Sequence, residues 1–225
     1  MFNENSYKDY CRVYGIPQED EKKNFYRFNK RIFDLLFSLS VIFVLFIPCL
    51  VIALLIYIQT GGNPFYTQER VGQFGKKFKI YKFRSMVVDS DNLEKYLSSS
   101  QLEIWKKERK VENDPRITRI GHFLRATSLD ELPQFINVIF GDMSIVGPRA
   151  ITVDELEWFG SDKAFLLSVP AGITGLWQTK SRNQATFESG ERQKLELQYC
   201  RDATFILDVK IIIDTVWVVI NKTGR

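Results

Sequence analysis

No charged side chain interrupts the chain between Leu35 and Ile58. As a helix rising 1.5 Å per residue, that run of about 24 residues is long enough for the roughly 30 Å hydrocarbon core of a bilayer. It starts about thirty residues into the chain, exceeds the apolar part of a cleavable leader and is followed by no small-residue cleavage pattern, so it is expected to be retained. Whether it spans is a separate matter. Pro48 falls near its middle, where the missing N–H and the crowding of the Val44 carbonyl kink or break a helix. Lys22, Lys23, Arg27, Lys30 and Arg31 precede the run, and Arg70, Lys76, Lys77, Lys79, Lys82 and Arg84 follow it. Basic residues beside membrane segments favour the cytoplasmic side, so a re-entrant hairpin bent at Pro48 keeps both groups there, whereas a kinked span exports one of them. Both topologies stay open on these features.

The 225 residues, 45% hydrophobic and 14% aromatic, suffice for one cored domain and argue against two unrelated ones. A net charge of +4 permits anionic partners without choosing among them. Cys11, Cys49 and Cys200 follow neither a disulfide nor a metal-ligand spacing, and a reducing, cytoplasmic setting is the default.

Past Ile58, Gln59-Thr-Gly-Gly-Asn-Pro marks an exit turn. Phe65–Val71 and Phe78–Arg84 alternate apolar and polar residues around Gly72 and Gly75, predicting a short hairpin. Residues 89–110, with Leu93, Leu97, Leu102, Ile104 and Trp105, read as one or two amphipathic surface helices. Phe205–Ile220 is mostly apolar but carries Asp208, Lys210 and Asp214, which makes it a poor bilayer span; an interfacial helix and a core helix both fit. The N-terminal residues read as a polar, loosely held extension.

The chemistry-bearing residues gather between Asp114 and Arg149. Arg116, Arg119 and Arg125 offer forked donors for phosphate oxygens, and the acids Asp130 and Glu131 follow directly. Cations beside a carboxylate suit phosphoryl transfer, in which the carboxylate attacks phosphorus. Ser128 and Glu131 also have the spacing of a helix capping box, with Pro133 tolerated near a helix start, and the two roles are compatible. His122, the single histidine, is read as structural or at a substrate's edge. Trp177 is read as a buried residue beside a glycine turn in preference to a base contact by Trp177 and Gln178, and Asp142 as a turn residue in preference to a second acid.

The stretch Thr127-Ser-Leu-Asp-Glu-Leu-Pro-Gln-Phe-Ile-Asn-Val-Ile-Phe-Gly-Asp-Met-Ser-Ile-Val-Gly-Pro-Arg resembles the signature of the bacterial sugar transferases, the monotopic phosphoglycosyl transferases. The likeness extends upstream through Lys82-Phe-Arg-Ser-Met and Asp114-Pro-Arg-Ile-Thr-Arg-Ile-Gly and downstream through Pro170-Ala-Gly-Ile-Thr-Gly-Leu-Trp-Gln, covering roughly residues 28 to 220. It implies a mainly helical α+β fold: a polar extension over 1–27, a re-entrant membrane helix-hairpin over 28–60 broken at Pro48, and a cytoplasmic catalytic domain over 61–225, in which interfacial amphipathic helices surround a small β-hairpin. It further implies Asp130 as nucleophile, Glu131 as ligand of Mg²⁺, and Lys82, Arg84, Arg125, Arg149 and, more weakly, Arg182 as phosphate-binding residues.

The implied reaction moves a sugar-1-phosphate from a UDP-sugar to polyprenyl phosphate, releasing UMP, at the cytoplasmic face of a bacterial inner membrane. Membrane lipid is an expected partner, nucleic acid is not, and homo-oligomerisation is left open. A magnesium-dependent phosphatase and a non-catalytic lipid-binding module are the alternatives. Three positions depart from the family pattern: Ala150 follows Gly-Pro-Arg, Ile47 precedes the kink proline, and Ser181 precedes Arg182.

Overall fold

A computed structural model describes residues 4–16, 21–108, 111–180 and 189–220. The order of elements is α1 (Glu4–Tyr14), α2 (Glu21–Thr60), β1 (Phe65–Val71), β2 (Lys77–Phe83), α3 (Leu93–Tyr96), α4 (Ser99–Glu108), α5 (Arg119–Thr127), α6 (Gln134–Phe140), β3 (Met143–Val146), α7 (Val153–Leu156), α8 (Lys163–Leu166), β4 (Ala171–Thr174), α9 (Leu176–Lys180), α10 (Glu191–Asp202) and α11 (Phe205–Ile220). The chain is mainly helical. The expected hairpin is present, with β1 antiparallel to β2 and Tyr66 opposite Lys82. A second, parallel pair of β3 and β4 was not anticipated. Its strands are four residues each and almost wholly buried, so they lack the alternation that marks a half-exposed strand.

Among the described residues, α2 is the one helix long and apolar enough to cross a membrane; its most apolar 18-residue window has a mean hydropathy of 3.2 and is only 6% buried. That exposure separates it from a soluble core helix, whose apolar face would be covered. Pro48 lies inside it. Its two ends are fastened to the rest of the protein. Near the start, Asp34 accepts from the Ser144 hydroxyl at 2.7 Å and the Ile145 N–H at 3.2 Å, and Arg31 donates to the Val138 and Ile139 carbonyls at 2.6 and 3.1 Å. Those carbonyls belong to the last turn of α6, where carbonyls lack an i+4 helical donor and the Val138 oxygen also accepts from the Gly141 N–H at 3.1 Å. Towards its end, Ile56 is buried with Phe83 and Leu124, and Cys49, Ile52 and Ala53 pack against that cluster.

The main core joins Phe78 and Ile80 of β2, Val138 of α6, Met143 and Val146 of β3, and Ile211 of α11. Asp208 of α11 accepts from Lys30 (2.8 Å), Tyr26 (2.7 Å) and Tyr199 (2.7 Å), which pairs a buried carboxylate with a buried ammonium. Helix α11 is therefore half core and half surface: Ile211 and Asp208 are buried, while Ile213 and Trp217 are exposed.

The N-terminal segment is docked, which corrects the loosely held extension expected from its polarity. Tyr7 and Cys11 of α1 are buried, the Tyr7 and Tyr10 rings lie 6.4 and 5.0 Å from the Phe74 ring, and the Arg27 guanidinium sits 3.6 Å from the Tyr7 ring centre. One buried stripe among many polar residues is weak as a periodic signal, but aromatic and cation–π contacts make it adhesive.

Candidate active site

The acid pair stands on a tight 3₁₀ turn, Leu129–Glu131, between α5 and α6. Ser128 ends α5 in the left-handed conformation (φ 56°) and has no side-chain cap bond, so the capping box expected of Ser128 and Glu131 does not form. A capping box forms instead at Thr152 and Glu155, where the same Thr-x-x-Glu signal was in the sequence. Around the turn, Leu129 and Leu132 pack on the buried cluster of Ile56, Phe83 and Leu124, while Asp130 and Glu131 between them remain half-buried. Burying the flanking leucines aims the acids away from the core.

Three contacts set what faces the acids. Asn137 of α6 is fully buried, donates to the Lys79 carbonyl at 2.8 Å and accepts from the Tyr81 N–H at 3.0 Å. This fixes the register of α6 against β2 and brings Lys82, next along the strand, to 2.8 Å from a Glu131 carboxylate oxygen. Thr118 caps α5 by accepting from the Gly121 N–H at 3.0 Å. Gly121 admits no side chain, because a Cβ there would lie 1.9 Å from the Ser85 carbonyl oxygen. So close an approach sets Arg125, one turn further, with its Nε donating to the Ser85 hydroxyl at 2.9 Å. Desolvation lowers the Arg125 pKa even though the residue keeps some surface, and the neighbouring Asp130 and Asp114 carboxylates oppose that shift.

Lys82, Arg125, Asp130 and Glu131 are thus brought together from β2, α5 and the turn. Arg84 donates to the Asn63 carbonyl at 2.7 Å. Arg116, read from the sequence as a phosphate fork, is buried and bonds Asp114 through Nε (2.9 Å) and its own backbone N–H (3.0 Å), and donates to the Ser90 carbonyl at 3.1 Å. It is a structural ion pair: burial alone would raise the Asp114 pKa, but the Arg116 bonds hold it below the ordinary carboxylate value. Arg119 and His122 are exposed. Arg182 and Ser181 lie outside the described residues.

Arg149 belongs to a second cluster. Its backbone N–H donates to Glu196 at 3.1 Å and its guanidinium is 5.8 Å from the Trp177 ring centre, over which Arg192 also sits at 4.2 Å. Arg70 of β1 pairs with Glu155 at 2.9 Å and donates to the Ala150 carbonyl at 3.3 Å, so Ala150 takes part through its backbone. Burial pushes the Glu155 carboxyl up, but Arg70 and the Thr152 N–H carry it below its usual range. Burial pushes the Glu196 carboxyl up to about 7 despite Arg192, and brings the Arg192 guanidinium down to about 10, with Arg149 adding to the fall. Trp177 is buried as expected, Gln178 donates to the Ile173 carbonyl at 2.8 Å, and Asp142 pairs with Lys76 at 3.6 Å.

Sequence reasoning singled out neither Ser85, which orients Arg125, nor Asn137. Both stood in quoted stretches, Ser85 in Lys82-Phe-Arg-Ser-Met and Asn137 in the Thr127–Arg149 signature, but neither residue's type marked its role.

Fold and site define a helix-anchored α+β protein in which a pair of adjacent carboxylates is flanked by cations supplied from separate elements. The chain belongs to the bacterial sugar transferase family, whose model matches residues 25–222. It is 45% identical to a UDP-galactose-lipid carrier transferase of Erwinia amylovora over 88% of this chain and 42% of that protein. It is 40% identical to an undecaprenyl-phosphate galactose phosphotransferase of Salmonella typhimurium, over 92% of this chain and 44% of that one. The chain therefore spans less than half the length of these two relatives. It is also 40% identical to the exopolysaccharide production protein ExoY of Rhizobium meliloti, with 87% of each chain covered.

Proposed function

We propose that this chain is a phosphoglycosyl transferase that moves a sugar-1-phosphate from a UDP-sugar to a polyprenyl phosphate through an adduct on Asp130. The observation that carries this is the half-buried Asp130–Glu131 pair with Lys82 at 2.8 Å and Arg125 beside it, in a family whose relatives are named for this transfer. An Asp130 carboxylate oxygen bonds the sugar-bearing phosphorus, the bond from that phosphorus to the bridging oxygen breaks, and UMP leaves with the oxygen. A phosphate oxygen of the lipid then bonds the same phosphorus and the Asp130 carboxylate departs, giving a polyprenyl diphosphate sugar. A carboxylate approaches an anionic diphosphate only where cations offset the repulsion, and Lys82 and Arg125, joined by Arg84 and Arg149, are assigned that work.

Among the described residues no group of three or more His, Cys, Asp and Glu side chains is placed to hold a metal. Mg²⁺ needs no such cage, since it is typically held by one or two carboxylates with substrate phosphates and water. The donor set fits on those terms, with Glu131 as the protein ligand. The ion, when bound, supplies further neutralisation of the diphosphate.

The membrane reading is a re-entrant helix bent at Pro48, with the rest of the chain on the cytoplasmic side of the bacterial inner membrane. Supporting it, Phe37 packs on Phe135 at 6.2 Å, while Cys49, Ile52 and Ala53 join the cluster that carries Leu132, one turn before Phe135. A straight helix would separate Phe37 from Ile52 by roughly 22 Å, and a bend at Pro48 shortens that span. In a cysteine-free background, cysteines at the exposed positions Val13 and Glu103 should both label from the cytoplasm alone; periplasmic labelling of either overturns re-entry.

The chemistry is tested by incubating the protein with Mg²⁺, polyprenyl phosphate and a panel of UDP-sugars. Lipid-dependent UMP release that Asp130→Asn lowers by on the order of 10³-fold or more is expected, with mass spectrometry finding the phosphosugar on the Asp130 peptide. Lipid-independent release of free sugar phosphate indicates a phosphatase, and no turnover with any donor a binding module.

A further inference from the structure

A cleft of about 340 Å³ is lined in part by Glu131 and not by Lys82. Leu129, Leu132 and Phe135 form one wall, Val216 and Val219 of α11 the other, and Thr174 and Thr215 lie on its floor. The threonines give it less polarity than their number suggests. Thr174 and Thr215 bond each other through their hydroxyls at 2.6 Å, Thr215 donates onward to the Ile211 carbonyl at 2.7 Å, Thr179 donates to the Leu176 carbonyl at 3.2 Å and Thr127 to the Phe123 carbonyl at 2.8 Å. With their hydroxyls engaged, these residues turn methyl groups to the cleft. Among the described residues, Glu131 is the single charged side chain in the lining.

We infer that this cleft seats the first isoprene units of the acceptor lipid, holding its phosphate against the adduct on Asp130; the inference rests on the transferase reading above. Charge assigns the two substrates to opposite sides of the acid pair. A nucleoside diphosphate needs cations, which lie at Lys82 and Arg125, whereas among the described residues the cleft lining has no cation and, besides Glu131 and the threonines, only Ser128 and Gln178 as polar side chains. Apolar surface that ends at the acid pair, where Lys82 meets Glu131 at 2.8 Å, suits a hydrocarbon chain whose phosphate is held by that cation. The volume is at the small end of ligand pockets, roughly 300–1,000 Å³, so it takes a portion of the tail and leaves the remainder outside. The outer wall leads to such a place. Helix α11 exposes Ile213 and Trp217 beyond the cleft and packs against α2 through the Phe205 and Phe33 rings, 5.9 Å apart. Apolar surface therefore runs from Glu131 along α11 towards the membrane helix.

The test separates the two half-reactions. Val216 is 53% exposed, so Val216→Trp fills the cleft without crowding the core. With donor alone, the burst of one UMP per enzyme should keep its amplitude and its dependence on UDP-sugar. With acceptor added, kcat/KM for polyprenyl phosphate should fall by about tenfold or more, and the wild-type preference for farnesyl phosphate over dimethylallyl phosphate should shrink. Independently of turnover, a benzophenone-tipped farnesyl phosphate should photolabel the peptides containing Leu129–Phe135 and Thr215–Val219. Unchanged acceptor kinetics, a raised KM for UDP-sugar, or labelling confined to other peptides overturns the assignment. Labelling at these peptides in a wild-type protein that releases no UMP from any donor retains the lipid cleft and removes the transferase reading instead.

Discussion

Two clusters of cations and carboxylates each draw one cation from the same hairpin, and they are built to opposite ends. Around Asp130 and Glu131 the acids are half-buried and Lys82 and Arg125 meet them from different elements; around Arg149, Arg70 and Arg192 are buried with Glu155 and Glu196. The two are linked by β1, where Tyr66 stands opposite Lys82 and Arg70 lies further along the strand. The difference is what an ion pair does when water is removed from it. A buried pair holds two segments together and penalises the loss of either partner heavily, whereas a pair that keeps some surface, as Lys82 and Glu131 do, leaves charge available to an incoming anion. The first cluster should therefore report in turnover and, the Arg149 side chain apart, the second in stability.

The comparison is most exposed at Arg70. Arg70→Met leaves Glu155 buried without its main partner and should cost on the order of 3 kcal/mol, read as a lower thermal unfolding temperature in detergent. If stability were untouched and turnover collapsed, the second cluster would be part of the chemistry. Lys82→Met should act the other way: UMP turnover falls about a hundredfold, equivalent to roughly 2.7 kcal/mol of barrier, with little change in unfolding temperature.

Glu196 sharpens the contrast through pH. Its folded-state pKa of about 7 exceeds the ordinary 4.5, so its contribution to stability is complete below about 4.5 and is lost as the pH rises to about 7, where the unfolded chain releases the proton first. Glu196→Gln should flatten the decline in unfolding temperature between pH 5 and 7 that the wild type shows; an unchanged slope would mean that Glu196 is ionised in the fold. The smallest effect is expected at Thr152, whose hydroxyl accepts from the Glu155 N–H at 3.2 Å. Thr152→Ala should cost about 1 kcal/mol and leave turnover alone.

Much of this was legible from sequence because it was written locally. The uncharged run gave α2, alternation gave the hairpin, and the adjacent acids marked the turn. What escaped depends on partners far along the chain. Arg116 and Arg125 look alike as isolated arginines, and they are told apart by distant partners: the Ser90 carbonyl, 26 residues from Arg116, helps bury that fork, and the Ser85 hydroxyl, 40 residues from Arg125, orients the other. Arg149 sits beside a signature that names phosphate binding, yet its backbone is held by Glu196, 47 residues later. The parallel pair of β3 and β4 left no periodic trace because both faces of each short strand are covered.

The anchoring of α2 has a mechanical consequence. Asp34 clasps β3 while Ile56 wedges under the turn that bears the acids. Seated in lipid, such a helix works as a keel: any tilt imposed by a thinner or stiffer membrane is delivered at two points to the body above it. The draught at which the acid pair floats is then a property of the leaflet as well as of the protein.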